Sequence, residues 1–189
     1  QGAYALFDHQ KDAVLVEVLK ERNVKSGIVF TSRKRTVGQV VRALRKAGIK
    51  CGRMSSDLDQ SEREEVMLAF RQQKLPILVA TDVVSRGIDI DSIELVVNYD
   101  VPPNEEDYVH RIGRTARAQR KGEAITLVTP DDMHRFGNIE KLIEKEVPKL
   151  EVPKALGDAP VYDPKSAGTR GGRGGRGGGG RGPRGRHSG

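Results

Sequence analysis

Gly27-Ile28-Val29-Phe30-Thr31-Ser32-Arg33 and the residues that follow it decide the fold. The first four form a short apolar run, β-branched and aromatic, which predicts a strand buried on both sides. A polar turn, Thr31 to Arg35, comes next. From about Thr36 to Ala47 the apolar residues Val37, Val40, Val41 and Leu44 take the spacing of a helix packed on one face. Gly48 suits the position just past a helix end, and Ile49 to Cys51 is a short strand candidate.

The same alternation extends in both directions. Upstream, Lys11 to Arg22 carries Val14, Leu15, Val18 and Leu19 in a helical stripe. Downstream, Asp59 or Ser61 can cap a helix running to about Gln72, with Val66, Leu68, Ala69 and Phe70 on its apolar side. Strands are predicted at Ile77 to Ala80, Leu95 to Tyr99 and Ala124 to Val128, and helices near Glu105 to Ile112 and Asp132 to Glu146. Strands alternating with helices define an α/β domain, a parallel sheet covered by helices on both faces. Ligands of such sheets bind beyond the carboxyl ends of the strands, where Thr31-Ser32-Arg33 and Thr81-Asp82 fall.

The domain is read as residues 1–150. Pro153, Pro160 and Pro164 mark 151–165 as an extended linker, and 166–189 is an Arg-Gly-Gly tail in which 12 of 24 residues are Gly and six are Arg. With almost no apolar side chains, that tail is expected to be disordered. It also accounts for the charge: 33 basic residues face 26 acidic ones, but without the six tail arginines the balance is 27 to 26. A basic face of the domain is not needed to explain the excess. No apolar stretch approaches the roughly 18 residues of a membrane helix, and no secretory signal is visible. Cys51 alone forms no intrachain disulfide, and the four histidines show no metal-ligand spacing. A reduced, cytoplasmic setting and no metal site are expected.

Two segments carry chemistry. Tyr108-Val109-His110-Arg111-Ile112-Gly113-Arg114-Thr115-Ala116-Arg117 repeats Arg at every third position, so guanidinium groups can converge on a phosphate, or simply form a solvated face. Ala80-Thr81-Asp82-Val83-Val84-Ser85-Arg86-Gly87-Ile88-Asp89 ends a strand in a polar turn, then sets Arg86 and Asp89 around Gly87. That pair reads either as a local salt bridge or as a carboxylate available to a ribose hydroxyl.

In this order the two segments resemble motifs V and VI of the DEAD-box RNA helicases. Ile28 to Lys34 looks like motif IV, Ser55 to Glu64 like motif IVa, and Asn98-Tyr99-Asp100-Val101-Pro102 like the family's segment after motif V. The set belongs to the second, C-terminal RecA-like domain, and the tail and local wording resemble the bacterial RhlE-type group. The resemblance implies that Arg114 and Arg117 are arginine fingers on the γ-phosphate of ATP. Asp89 matches the ribose contact, with Arg86 and Gly87 beside it. His110 and Arg111 link the nucleotide and RNA sites across the cleft. Ser32, Arg33, Gln60, Arg63, Thr81 and Asp82 match positions on the RNA backbone. Ser55-Ser56-Asp57 departs from the usual His-Gly-Asp, and Ala116 from a frequent Gly.

The chain contains no Gly-rich Lys-Ser/Thr phosphate loop, no Asp-Glu-Ala-Asp and no Ser-Ala-Thr. The expected partners are therefore RNA and a first RecA-like domain that holds ATP and its Mg²⁺, and hydrolysis by this chain alone is not expected. The alternative is a non-enzymatic RNA-binding module driven by the tail, with Arg170, Arg173 and Arg176 on the phosphates and bases of a single strand.

Overall fold

Along each central strand the side chains alternate between two cores. In the computed structural model, which describes residues 1–81, 93–112 and 122–165, seven strands form one sheet: β1 (Gly2–Ala5), β2 (Gly27–Thr31), β3 (Cys51–Met54), β4 (Ile77–Thr81), β5 (Leu95–Asn98), β6 (Glu123–Val128) and β7 (Lys149–Leu150). Their order is β3-β4-β2-β5-β6-β1-β7, with every pairing parallel.

On one face Val29, Val79, Val97, Ile125 and Leu127 meet α1 (Lys11–Glu21) and α2 (Lys34–Lys46). On the other, Ile28, Phe30, Leu78, Ala80 and Val96 meet α3 (Gln60–Arg71) through Phe70. Farther along that second face Ala3 and Val128 pack on α4 (Glu105–Ile112) through Tyr108 and on α5 (Met133–Leu142) through Phe136 and Ile139. Near-continuous apolar runs are what strands buried on both sides require.

Helix ends follow local chemistry. Asp59 caps α3, its Oδ1 accepting the Glu62 N–H at 2.8 Å while Glu62 Oε2 accepts the Asp59 N–H at 3.0 Å. α2 stops at Gly48, φ +81°, where the Ile49 N–H donates to Leu44 O at 2.9 Å and the Gly48 N–H to Arg45 O at 3.0 Å. Three elements differ by two residues or more from the sequence reading: α5 ends at Leu142 rather than near Glu146, with Glu144 at φ +52° just beyond it, and the other two are α2 and β3. α2 begins at Lys34 because the turn after β2 needs only Ser32 and Arg33, and β3 runs from Cys51 to Met54 because its register is set by β4. β1 and β7, which carry little periodicity of their own, join the far edge beside β6.

Residues 151–165 contain a 3-10 turn, Lys154–Leu156, in otherwise irregular backbone, and lie against the domain. Gln10 Nε2 donates to Leu156 O and Asp158 O, both at 3.0 Å. The Tyr162 ring meets Phe136 edge-on, its hydroxyl donates to Glu140, and Pro164 sits over Gly137. Among the described residues no helix is long and apolar enough to cross a membrane.

Candidate functional site

All strands being parallel, their carboxyl ends share one edge, and residues far apart in sequence meet there. Thr31 is in register with Thr81, and Met54 with Ala80. The turn after β2 (Ser32, Arg33), the first turn of α3 after β3 (Gln60, Arg63) and the end of β4 (Thr81) therefore lie side by side. Ser32, Arg33 and Gln60 are exposed, and Arg63 and Thr81 are half-buried. Arg33 and Arg63 have no carboxylate partner among the described residues, so both guanidinium groups are available to an anion. Asp57 ties the neighbouring turns together, accepting from Lys34 and, at 3.4 Å, from Arg53 Nη2.

The β2 turn is held from the next strand. Asp100, just past β5, accepts the Ser32 N–H at 2.8 Å through Oδ2 and the buried Lys11 Nζ at 2.9 Å through Oδ1. Lys11 also lies over the Tyr99 ring, 4.9 Å from its centroid, and the Tyr99 hydroxyl donates to Asp12 Oδ1 at 2.6 Å. Burial and the bond to Asp12 push the Tyr99 phenol well above its ordinary range, so it stays a donor. Burial also pushes the Tyr108 phenol up to about 12.

α4 lies across the edge beyond β5. Its Arg111 is 1% exposed; Nη1 donates to Asn98 Oδ1 and Asp100 O, both at 3.1 Å, and the guanidinium sits 5.2 Å from the Phe30 ring centroid. Asn98 in turn donates to Thr126 at 3.1 Å. Arg111, read from the resemblance as a residue at the nucleotide side of the cleft, is thus closed off from solvent inside this domain, where it locks α4 onto β5 and β2. His110, its neighbour, is exposed. Asp82, Arg86, Gly87, Asp89, Arg114, Arg117, Arg170, Arg173 and Arg176 lie outside the described residues.

Sequence reasoning missed Lys11, Asn98 and Asp100 as site-building residues. The signal was slight: a polar Asn-Tyr-Asp run directly after an apolar strand. The Ser55 hydroxyl is buried without a hydrogen-bond partner among the described residues. Nor does any group of three or more His, Cys, Asp or Glu among the described residues gather as a metal site. The edge is built, among the described residues, from Ser32, Arg33, Gln60, Arg63 and Thr81. It presents cations and short polar groups, the equipment for gripping phosphate.

Residues 10–119 match the family described as helicase conserved C-terminal domain, which defines the class: the RecA-like second domain of a helicase core. RhpA of Helicobacter pylori, a DEAD-box ATP-dependent RNA helicase, is 37% identical over 171 residues, 86% of this chain and 35% of RhpA. The structure of the E. coli DEAD-box protein SrmB, bound to regulator of ribonuclease activity A, aligns with TM-score 0.78 at 38% identity, covering 85% of this chain and 96% of that one. S. cerevisiae Dbp5 bound to RNA and ADP BeF3 aligns with TM-score 0.73 at 30% identity, covering 79% of this chain and 40% of that one. The chain belongs to the DEAD-box family, as its C-terminal helicase domain. It spans about a third of the length of the curated relatives it matches.

Proposed function

We propose that this domain completes an ATP-dependent RNA helicase, gripping one RNA strand at its carboxyl edge and supplying arginine fingers to ATP held by a first RecA-like domain. The observation that carries the reading is the convergence of Ser32, Arg33, Gln60, Arg63 and Thr81 on the adjoining ends of β2, β3 and β4. Phosphate contacts of this kind fix a nucleic acid's position without reading its sequence.

In this mechanism, ATP and RNA draw the two domains together. Arg114 and Arg117 reach the γ-phosphate, where a finger supplied across an interface is worth about 10³–10⁵ in rate. Asp89 accepts from the ribose, with Arg86 beside it. Arg111 keeps α4 seated on the end of β5. The closed pair bends one strand and parts a short duplex; hydrolysis reopens the cleft. Mg²⁺ is held with the nucleotide by the first domain. The Arg-Gly-Gly tail supports a reading in the RhlE-type group, and the single cysteine supports a reduced, cytoplasmic setting.

The test is RNA-stimulated ATP hydrolysis by this chain alone and by this chain joined to a DEAD-box first domain. We expect silence alone, activity when joined, and loss of that activity with Arg114→Ala. Hydrolysis by the chain alone overturns the division of labour. A second reading rests on 166–189, six arginines without an acid: an RNA-binding module with no enzymatic role. RNA binding by a joined protein that never hydrolyses ATP would favour it.

A further inference from the structure

The near-neutral charge of the first 165 residues is the sum of two opposites. Between Arg33 and Arg53 there are eight basic residues and no acid, so the other residues before the tail hold 19 basic groups against 26 acidic ones, a balance of −7. The fold lays this stretch out as α2 and the edge strand β3. Val37, Val40, Val41 and Leu44 turn to the core. Arg35, Arg42 and Lys46, at i, i+7 and i+11, share one exposed side, and Lys34 and Arg45 flank it. Lys50 and Arg53 continue the surface along the sheet edge, where α2 packs on β3 and β4.

The arrangement is costly to the isolated domain. Arg42 faces Lys46 at i+4 and Arg45 at i+3, spacings at which like charges repel. Lys34 and Arg35 occupy the first turn of α2, where the helix field favours acids, and that turn has none. α3 and α4 do carry acids there. Asp57 neutralises Lys34 and Arg53 only; Arg33, Arg35, Arg42, Arg45, Lys46 and Lys50 have no carboxylate partner among the described residues. The strip begins at Arg33, inside the candidate RNA edge, and α2's 13 residues carry it about 20 Å away from that edge.

We infer that the outer flank of α2, from Arg35 through Arg42 and Lys46 to Lys50, is a second stretch of RNA-backbone surface that continues the carboxyl-edge site. It receives the strand flanking the gripped segment, through phosphates rather than bases. The inference rests on the RNA-binding reading above and extends it to residues that lie outside every motif the resemblance names.

The test uses the full chain and a labelled single-stranded oligouridylate, with affinity followed against salt. Each phosphate contact contributes about 0.7 to the slope of log affinity against log salt. Arg42→Gln/Lys46→Gln/Lys50→Gln should therefore flatten the slope by about 2. Lys141→Gln/Lys145→Gln/Lys154→Gln, equal in charge and set on the opposite face and far edge of the sheet from α2, should leave it unchanged. Because the tail contains no lysine, lysine acylation read by mass spectrometry gives a second measure on the unaltered chain: RNA should protect Lys46 and Lys50 but not Lys141 or Lys145. Equal slopes for flank variant and parent, equal flattening by the control, or unprotected Lys46 and Lys50 overturns the inference. Arg33→Gln/Arg63→Gln separates it from the reading beneath: if only this edge variant weakens binding, the flank falls and the carboxyl-edge site stands. If neither variant changes binding, both fall.

Discussion

Lys11 Nζ lies 2.9 Å from Asp100 Oδ1, joining the buried start of α1 to the carboxyl end of β5. The other oxygen of the same carboxylate holds the Ser32 N–H. One side chain thus neutralises a buried ammonium and sets the shape of the turn that offers Ser32 and Arg33 to a ligand. A charge taken out of water needs such a partner, and removing the partner costs more than the pair contributes.

Asp100→Ala should therefore destabilise the domain by about 2 kcal/mol, since the buried Lys11 keeps only the exposed Asp8 carboxylate, 3.9 Å away, as a counter-charge. Lys11→Met should restore part of that loss in the double variant. Urea unfolding of the four-member cycle measures the coupling, expected at about 1 kcal/mol or more. Additive losses would show that the pair is not the strut described.

Gly137 sits in the middle of α5, where glycine costs about 1 kcal/mol relative to alanine. A Cβ at that position would lie 2.7 Å from Pro164 Cβ. Gly137→Ala should strengthen the helix yet push the 151–165 segment off it. Limited proteolysis should then cut within that segment faster than in the parent. An unchanged cleavage rate would mean that Pro164 shifts without releasing the strap.

Burial alone would raise the Glu140 carboxyl, but the Tyr162 hydroxyl, Lys149 Nζ at 3.0 Å and the Val147 N–H at 2.8 Å outweigh it and hold the group below its ordinary value of 4.5. A carboxyl lowered on folding stabilises fully above its unfolded value, and that stability disappears as pH falls through the lower folded one. The melting temperature of Glu140→Gln should lie below the parent's at neutral pH, and the gap should close as the pH falls below the ordinary value of 4.5. A constant gap would remove the charge from the account.

The Ser55 hydroxyl, directly after β3, is buried without a partner among the described residues. Ser55→Ala should be neutral or stabilising by up to about 1 kcal/mol in urea unfolding, because an unpaired buried polar group is a cost. A loss of 1 kcal/mol or more would reveal a partner for that oxygen.

Much of this architecture was legible in the residues themselves. Apolar period, a capping aspartate at Asp59 and a stop at Gly48 are local signals, carried by neighbours in the chain, and they located α1, α2, α3 and β2, β4, β5 and β6. Ser32, Arg33 and Thr81 were legible as carboxyl-edge residues because short polar groups directly after apolar strands fall at that edge of any parallel sheet, whereas Gln60 and Arg63 came only with the family resemblance.

What the chain order did not determine was adjacency. β1 and β7 have too few apolar residues to declare themselves, and they are strands because β6 leaves an edge to pair with. Arg111 reads as one more cation in an Arg-rich run; only the packing of α4 over Phe30, beside Asn98, turns it into a buried strut. The acid-free stretch from Arg33 to Arg53, with its eight basic residues, is plain in the sequence, but a helix winding at 3.6 residues per turn and a sheet edge are what line those charges up on one flank. Periodicity travels along the chain and can be read there. Long-range polar pairs and the sharing of a surface depend on which strands become neighbours, and that is decided only when the sheet forms.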